Sequence, residues 1–141
     1  VDNNLATAAQ LIGEAAGTGA RLVVLPEYFC LMGRQDTDKV AVRETDGRGP
    51  IQDFLATQAR QHGVWLVGGT LPLEAPEPDR VFNTTLVFDP SGARVTRYDK
   101  VHLFRFSRET ESYDEAVAIA PGARVSTFGL KADAGPELPK N

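Results

Sequence analysis

The sequence is poor in the side chains that cross-link a fold or hold a metal. Its 141 residues contain one cysteine, Cys30, and two histidines, His62 and His102. A lone cysteine closes no internal disulfide and builds no thiolate metal site. The two histidines lie far apart and lack ligand spacing. Basic charge is scarce as well: 15 Lys plus Arg stand against 19 Asp plus Glu, a net charge of -4. Nucleic acid is therefore not expected as a partner, because phosphate binding needs a basic face. No apolar run approaches the ~18 residues that span a bilayer, so no membrane association is expected. A phosphate-cradling loop is missing too. Gly17-Thr18-Gly19 follows a helix pattern and precedes a strand pattern, the reverse of the required order. These absences lead us to expect a cytoplasmic protein with no metal and no cofactor.

What is present suffices for a core: 42% of residues are hydrophobic. Leu5, Ala8, Ala9, Ile12, Ala15 and Ala16 recur at helical spacing over 2–17, with Asp2 or Asn3 as cap and Gly17 and Gly19 as stop. Arg21-Leu22-Val23-Val24-Leu25 reads as a parallel strand buried on both faces, ended by Pro26. Helical spacing returns over 50–62, from Pro50 to the stop at Gly63. Val64 to Gly68 and Phe82 to Phe88 read as further strands. Asp89-Pro90-Ser91-Gly92 is a turn that pairs Phe82–Phe88 with a strand over Ala93–Tyr98. Arg124 to Phe128 reads as a last short strand. Segments 28–49, 72–80 and 100–122 read as loops, the first with room for a short helix. Helices alternating with strands, plus a hairpin, imply an α/β fold with a mixed sheet.

Two charged residues sit where such sheets carry chemistry, at the carboxyl ends of strands. Glu27 follows the first strand; a carboxylate there acts as a general base if burial raises its pKa toward neutrality. Lys100 follows the hairpin; an ammonium in a dry site stabilises an oxyanion. A solvated loop glutamate and a surface lysine paired with Asp99 are the plainer readings. Each residue begins or borders a long loop, and loops of that length are uncommon without a role.

Leu25-Pro26-Glu27-Tyr28 after an apolar strand, then Tyr98-Asp99-Lys100-Val101-His102-Leu103-Phe104 after a hairpin, resembles the nitrilase or carbon–nitrogen hydrolase superfamily. Gly68-Gly69, Phe82-Asn83-Thr84, Glu115 and Pro121-Gly122 are similar to that family as well. The resemblance covers residues 1–130. It implies an αββα sandwich of the nitrilase type, with helices flanking a mixed sheet, and a Glu–Lys–Cys triad with a second glutamate. Carried over by position, Glu27 is the base, Lys100 the oxyanion-binding cation, and Glu115 the supporting carboxylate that orients Lys100 or substrate. The implied reaction is amidase-type hydrolysis of small linear amides, in a protein expected to be a homo-oligomer when complete.

This sequence departs from that pattern at the nucleophile. The family's cysteine lies on a strand shortly after the position of Phe128-Gly129-Leu130, and no cysteine follows here. Cys30, among Tyr28, Phe29, Leu31 and Met32, reads as a small buried hydrophobe. The expectation is a partial domain over 1–130, incomplete at both ends, an irregular tail over 131–141, and an inactive chain. A non-catalytic binding or assembly module, or a truncated gene product, is the alternative. Arg105 and Arg108 could meet a substrate carboxylate, though solvated loop arginines are the commoner case.

Overall fold

The alanine-rich opening forms the helix its spacing predicts: α1 runs Asp2–Gly17 and buries Ala8 and Ile12. Its start differs from expectation, since Val1 is the cap residue and no side chain caps it. The computed structural model describes residues 1–130, and the expected tail lies outside the described residues. After α1 come β1 (Leu22–Val24), α2 (Asp38–Ala41), α3 (Pro50–His62), β2 (Trp65–Val67), β3 (Leu71–Glu74) and β4 (Val81–Phe88). Next follow β5 (Arg94–Asp99), β6 (Arg105–Arg108), β7 (Glu111–Asp114), a 3-10 turn (Glu115–Val117) and β8 (Ile119–Ala120).

Strands β1 and β2 are parallel, and β4 runs antiparallel to β2, β3 and β5. Val81 and Phe82 of β4 also pair in parallel with β8. Strands β2 and β3 lie end to end along one edge of β4. Leu66 faces Phe88 and Val67 faces Val87, whereas Leu71 faces Thr84. One extra residue is therefore accommodated between them, at the bulge Gly68–Thr70. Leu66, Leu71, Leu73, Leu86 and Phe88 share one face and form the core with Ile12, Cys30, Ile51, Leu55 and Ala59. Because strand side chains alternate, Leu22, Val24 and Asn83 occupy the other face.

That alternation corrects one expectation. Strand β1 is parallel but not buried on both faces: Leu22 is 41% and Val24 63% exposed. An apolar run alone does not say which of its faces is covered. Two other differences share a cause, the absence of a local pattern, and a third is an expected strand that does not form. Strand β3 lies in the Pro-rich stretch read as a loop. Its Pro72 costs no ladder bond, because its carbonyl turns outward to accept from the Glu44 N–H (3.1 Å), and its nitrogen faces the same way. The β6–β7 hairpin lies within the expected loop 100–122; its residues are mostly exposed and show no apolar period. Segment 124–128 is not a strand. It joins no ladder among the described residues, and is held by the Ser126 hydroxyl donating to the Arg97 carbonyl (2.6 Å) and by Phe128 stacking on Trp65.

Helix α3 begins at Pro50 and ends at Gly63, which takes the left-handed conformation expected of a stop. Its first turn is capped from a distance. The buried Glu44 carboxylate accepts from the backbone N–H groups of Ile51 and Gln52 and from the Gln52 amide. Gly49 makes room: a Cβ there would stand 2.2 Å from the Glu44 carboxyl carbon. A carboxylate at a helix N-terminus satisfies orphan donors and opposes the dipole. Glu44→Ala is expected to cost ~2–3 kcal/mol of folding stability, read as a lower urea midpoint; an unchanged midpoint would refute the cap.

Candidate active site

Three chain crossings place the charged residues singled out by sequence. The first is at Gly69, whose φ is 53°. A Cβ there would lie 2.0 Å from the Pro26 carbonyl oxygen, so the Leu25–Pro26 backbone rests directly on the bulge. Thr70 Oγ1 accepts from the Tyr28 N–H at 2.8 Å, which fixes the residue after Glu27. In the second, the Lys100 N–H donates to the Asn83 carbonyl (2.9 Å) and the Gly122 N–H donates to the Lys100 carbonyl (2.9 Å). In the third, the Glu115 N–H donates to the Phe104 carbonyl (3.0 Å), and the Phe104 N–H donates back to Glu115 Oε2 (2.7 Å).

These crossings bring Glu27, Lys100 and Glu115 together. Lys100 Nζ donates to Glu27 Oε1 at 3.1 Å and to Glu115 Oε1 at 3.0 Å. Glu27 Oε1 also accepts from Asn83 Nδ2 at 2.7 Å. Asn83 is fully buried and its Oδ1 has no partner. The Glu115 side chain is 9% exposed and that of Glu27 54%. One carboxylate is thus part of the interior, and the other opens to a cleft.

The electrostatics reverse one expectation. Burial opposes ionisation of Glu27, but the hydrogen bonds from Asn83 and Lys100 and the charges of Lys100 and Lys39 outweigh it. Glu27 is held below the usual carboxylate range rather than raised toward neutrality. Burial likewise works against the charge on Lys100, yet its bonds to Glu115 and Glu27 carry its pKa above the ordinary value. At neutral pH the cluster is one ammonium held by an ionised Glu27 on one side and a buried Glu115 on the other.

The cleft beside Glu27 has a volume of about 530 Å³. Tyr28, Leu31, Arg34, Asp36, Lys39 and Tyr113 are among the residues that line it. Lys39 pairs with Asp36 (3.4 Å) and stands 5.1 Å from the Tyr28 ring centroid, while the Tyr113 hydroxyl donates to Asp36 (3.2 Å). A second hollow, beside Arg97, offers no free charge of that residue, because Arg97 pairs with both Asp46 and Asp99.

Other residues weighed from sequence stay outside the cluster. Cys30 is fully buried in the hydrophobic core, and burial pushes its thiol up to about 11. Arg105 is an exposed residue paired with Asp114, and Arg108 is exposed. No group of three or more metal-ligating side chains occurs among the described residues. Nor is any described helix long and apolar enough to cross a membrane. Asn83 and Tyr28 were not singled out individually by the sequence, although both stand within the segments that carry the resemblance.

Fold and cluster together describe an α/β protein with a Glu27–Lys100–Glu115 ion-pair cluster beyond the carboxyl ends of β1 and β5. Comparison with known proteins gives the class a family. The carbon–nitrogen hydrolase model matches residues 1–133. Omega-amidase NIT2 of Danio rerio is 33% identical over 127 residues, covering 89% of this chain and 44% of the relative. Omega-amidase NIT3 of Saccharomyces cerevisiae is 31% identical over 117 residues, covering 79% and 39%. Among solved structures, yeast Nit3, a member of branch 10 of the nitrilase superfamily, superposes with a TM-score of 0.75 at 29% identity, over 92% of this chain and 46% of that one. XC1258 from Xanthomonas campestris, a carbon–nitrogen hydrolase superfamily protein, gives 0.71 at 30% identity, over 92% and 44%. The chain belongs to the carbon–nitrogen hydrolase family, and it spans less than half the length of these relatives.

Proposed function

We propose that this chain carries the base, the oxyanion-binding cation and the supporting carboxylate of a thiol-dependent amidase acting on small linear amides. The observation that carries the reading is the Lys100 ammonium held between Glu27 and Glu115. An ammonium has three donors. Two are committed, and the third remains for the oxygen of a bound amide. Glu27, ionised and open to the cleft, takes the proton of a cysteine thiol. The thiolate adds to the amide carbon, and Lys100 holds the resulting oxyanion. Collapse breaks the C–N bond, and the leaving amine or ammonia takes the proton back from Glu27. Water, deprotonated by Glu27, then cleaves the thioester to acid and thiol. Glu115 keeps Lys100 in place throughout. The names of the omega-amidase relatives support the amide substrate class. Thiol chemistry suits a reducing compartment such as the cytoplasm. Apolar Leu22 and Val24, open on the sheet face that carries Asn83, suit burial by further protein in a homo-oligomer.

The thiol in this scheme is not Cys30. Its sulfur is sealed in the core and its pKa is the wrong way for a nucleophile. The purified 141-residue chain is expected to hydrolyse no small amide, and Cys30→Ala to change nothing. Hydrolysis by that chain, abolished by Cys30→Ala, would overturn the assignment.

A further inference from the structure

Asn83 is an awkward residue for its position. It lies inside β4, flanked by β3 and β5, with Pro72 opposite it. Asparagine is depleted in strands. Its side chain is fully buried, and its Oδ1 accepts no hydrogen bond. A buried polar atom without a partner destabilises a fold, and an apolar side chain of similar shape would avoid that cost. What the amide does make is a bond to Glu27: Nδ2 donates to Oε1 at 2.7 Å.

Glu27 accepts two side-chain hydrogen bonds, and both end on the same oxygen. Oε1 takes the Asn83 bond and that of Lys100 Nζ at 3.1 Å, while Oε2 takes none among the described residues. The two donors differ in stiffness. Lys100 carries a point charge on a flexible stem, and an ammonium can follow either carboxylate oxygen. Asn83 is short and enclosed, and its backbone carbonyl also accepts from the Lys100 N–H (2.9 Å). The amide therefore singles out one oxygen and fixes the rotation of the carboxylate. Two donors also make Oε1 the less basic oxygen of the pair. Oε2 is left for a proton arriving through the cleft onto which Glu27 opens.

The other groups around Glu27 are titratable. Lys100 comes from the end of β5 and Lys39 from α2, and Glu115 of the 3-10 turn is joined through Lys100. Arg34, Asp36 and Tyr113 line the same cleft, and Tyr28 follows in the chain. Burial opposes the charge on Glu27, and the Asn83 and Lys100 bonds, with the charges of Lys100 and Lys39, favour it. Asn83 is the donor in this set whose strength does not change with pH.

We propose that Asn83 is a positioning residue, its amide pinning Oε1 of Glu27 so that Oε2 is the oxygen that takes up and returns the proton. This rests on the amidase reading, in which Glu27 takes the thiol proton and gives it back to the leaving amine.

The test is Asn83→Leu, with Asn83→Ala beside it in case the larger side chain does not fold. In the 141-residue chain the Glu27 carboxyl carbon is followed by NMR across pH. Loss of the donor is expected to raise the Glu27 midpoint by ~0.5 unit or more. The thermal midpoint of Asn83→Leu is expected to change little, because an orphaned acceptor is removed along with the bond. In a form that supplies the cysteine thiol, kcat is expected to fall about tenfold with KM level, and the acid limb of the rate to move to higher pH. A Glu27 midpoint unmoved in the folded variants overturns the proposal, as does an unchanged kcat. A thermal midpoint that drops while the Glu27 midpoint stays in place would make Asn83 a purely structural residue. A thiol-bearing, unmutated form that hydrolyses no small amide would instead sink the amidase reading, and the carboxyl titration would still decide whether Asn83 holds Glu27.

Discussion

In a form of the protein that supplies the cysteine thiol, replacing Lys100 by alanine is expected to lower kcat by ~10²–10³-fold, the usual cost of losing one preorganised oxyanion donor. A second effect follows from the geometry. Lys100 lowers the Glu27 pKa both by its hydrogen bond and by its charge. Without it the Glu27 pKa rises, and an acid limb set by Glu27 moves to higher pH. In the unmutated cluster the sign is fixed by the same shifts. The contribution of Glu27 to stability is present above its ordinary value of 4.5 and lost as pH falls through its lower folded value. That of Lys100 is present below 10.5 and lost as pH climbs through its higher folded value. Lys100→Arg keeps the charge but spreads it over a planar fork that does not reproduce a point ammonium, so little rescue is expected. A Lys100→Ala enzyme with near-normal kcat would remove the cation from the proposed mechanism.

The second large effect is expected at Gly69, which touches no substrate. An alanine there would bring its Cβ within 2.0 Å of the Pro26 carbonyl oxygen and within 2.8 Å of that of Leu25. Both obstacles are backbone, so no rotamer relieves them. The residue must also hold φ 53°, which costs an L-residue ~1–2 kcal/mol before any collision. Gly69→Ala is expected to lose on the order of 3 kcal/mol and to turn Glu27 away from Lys100, with the activity of a thiol-bearing form falling ~10²-fold for a displacement of about 1 Å. Gly17→Ala is the control, since nothing lies within 4 Å of its Cβ position. Equal denaturation midpoints for the two variants would show that the close approach at Gly69 is unimportant.

Which parts of this molecule can be read from the chain follows from where the information resides. Helices α1 and α3 carry their own period and their own stops, and both fall at the boundaries the spacing predicts. Strand β3 contains a proline, which argues against a strand unless one knows that its nitrogen faces outward. Strands β6 and β7 bury too little to leave an apolar alternation. Glu27 and Lys100 were legible through the paired contexts around them, not through their positions alone. The partnership of Glu27 with Asn83 was not, because it joins residues 56 apart in sequence and exists only across the folded sheet. The direction of the Glu27 shift was missed for a related reason: neighbouring donors outweigh its partial burial.

The bulge at Gly68–Thr70 has a consequence for the parity of the strand. Leu66 and Leu71 are an odd number of residues apart, and in an uninterrupted strand they would point to opposite faces. The extra residue restores phase, so Leu66, Leu71 and Leu73 all enter one core. Removing one residue there would do more than shorten a turn. It would exchange inside for outside along β3, sending two leucines outward and driving Pro72 and Glu74 toward the helices. The glycine pair that lets the Glu27 segment approach thus also keeps count for the sheet, coupling the placement of Glu27 to the sidedness of the core.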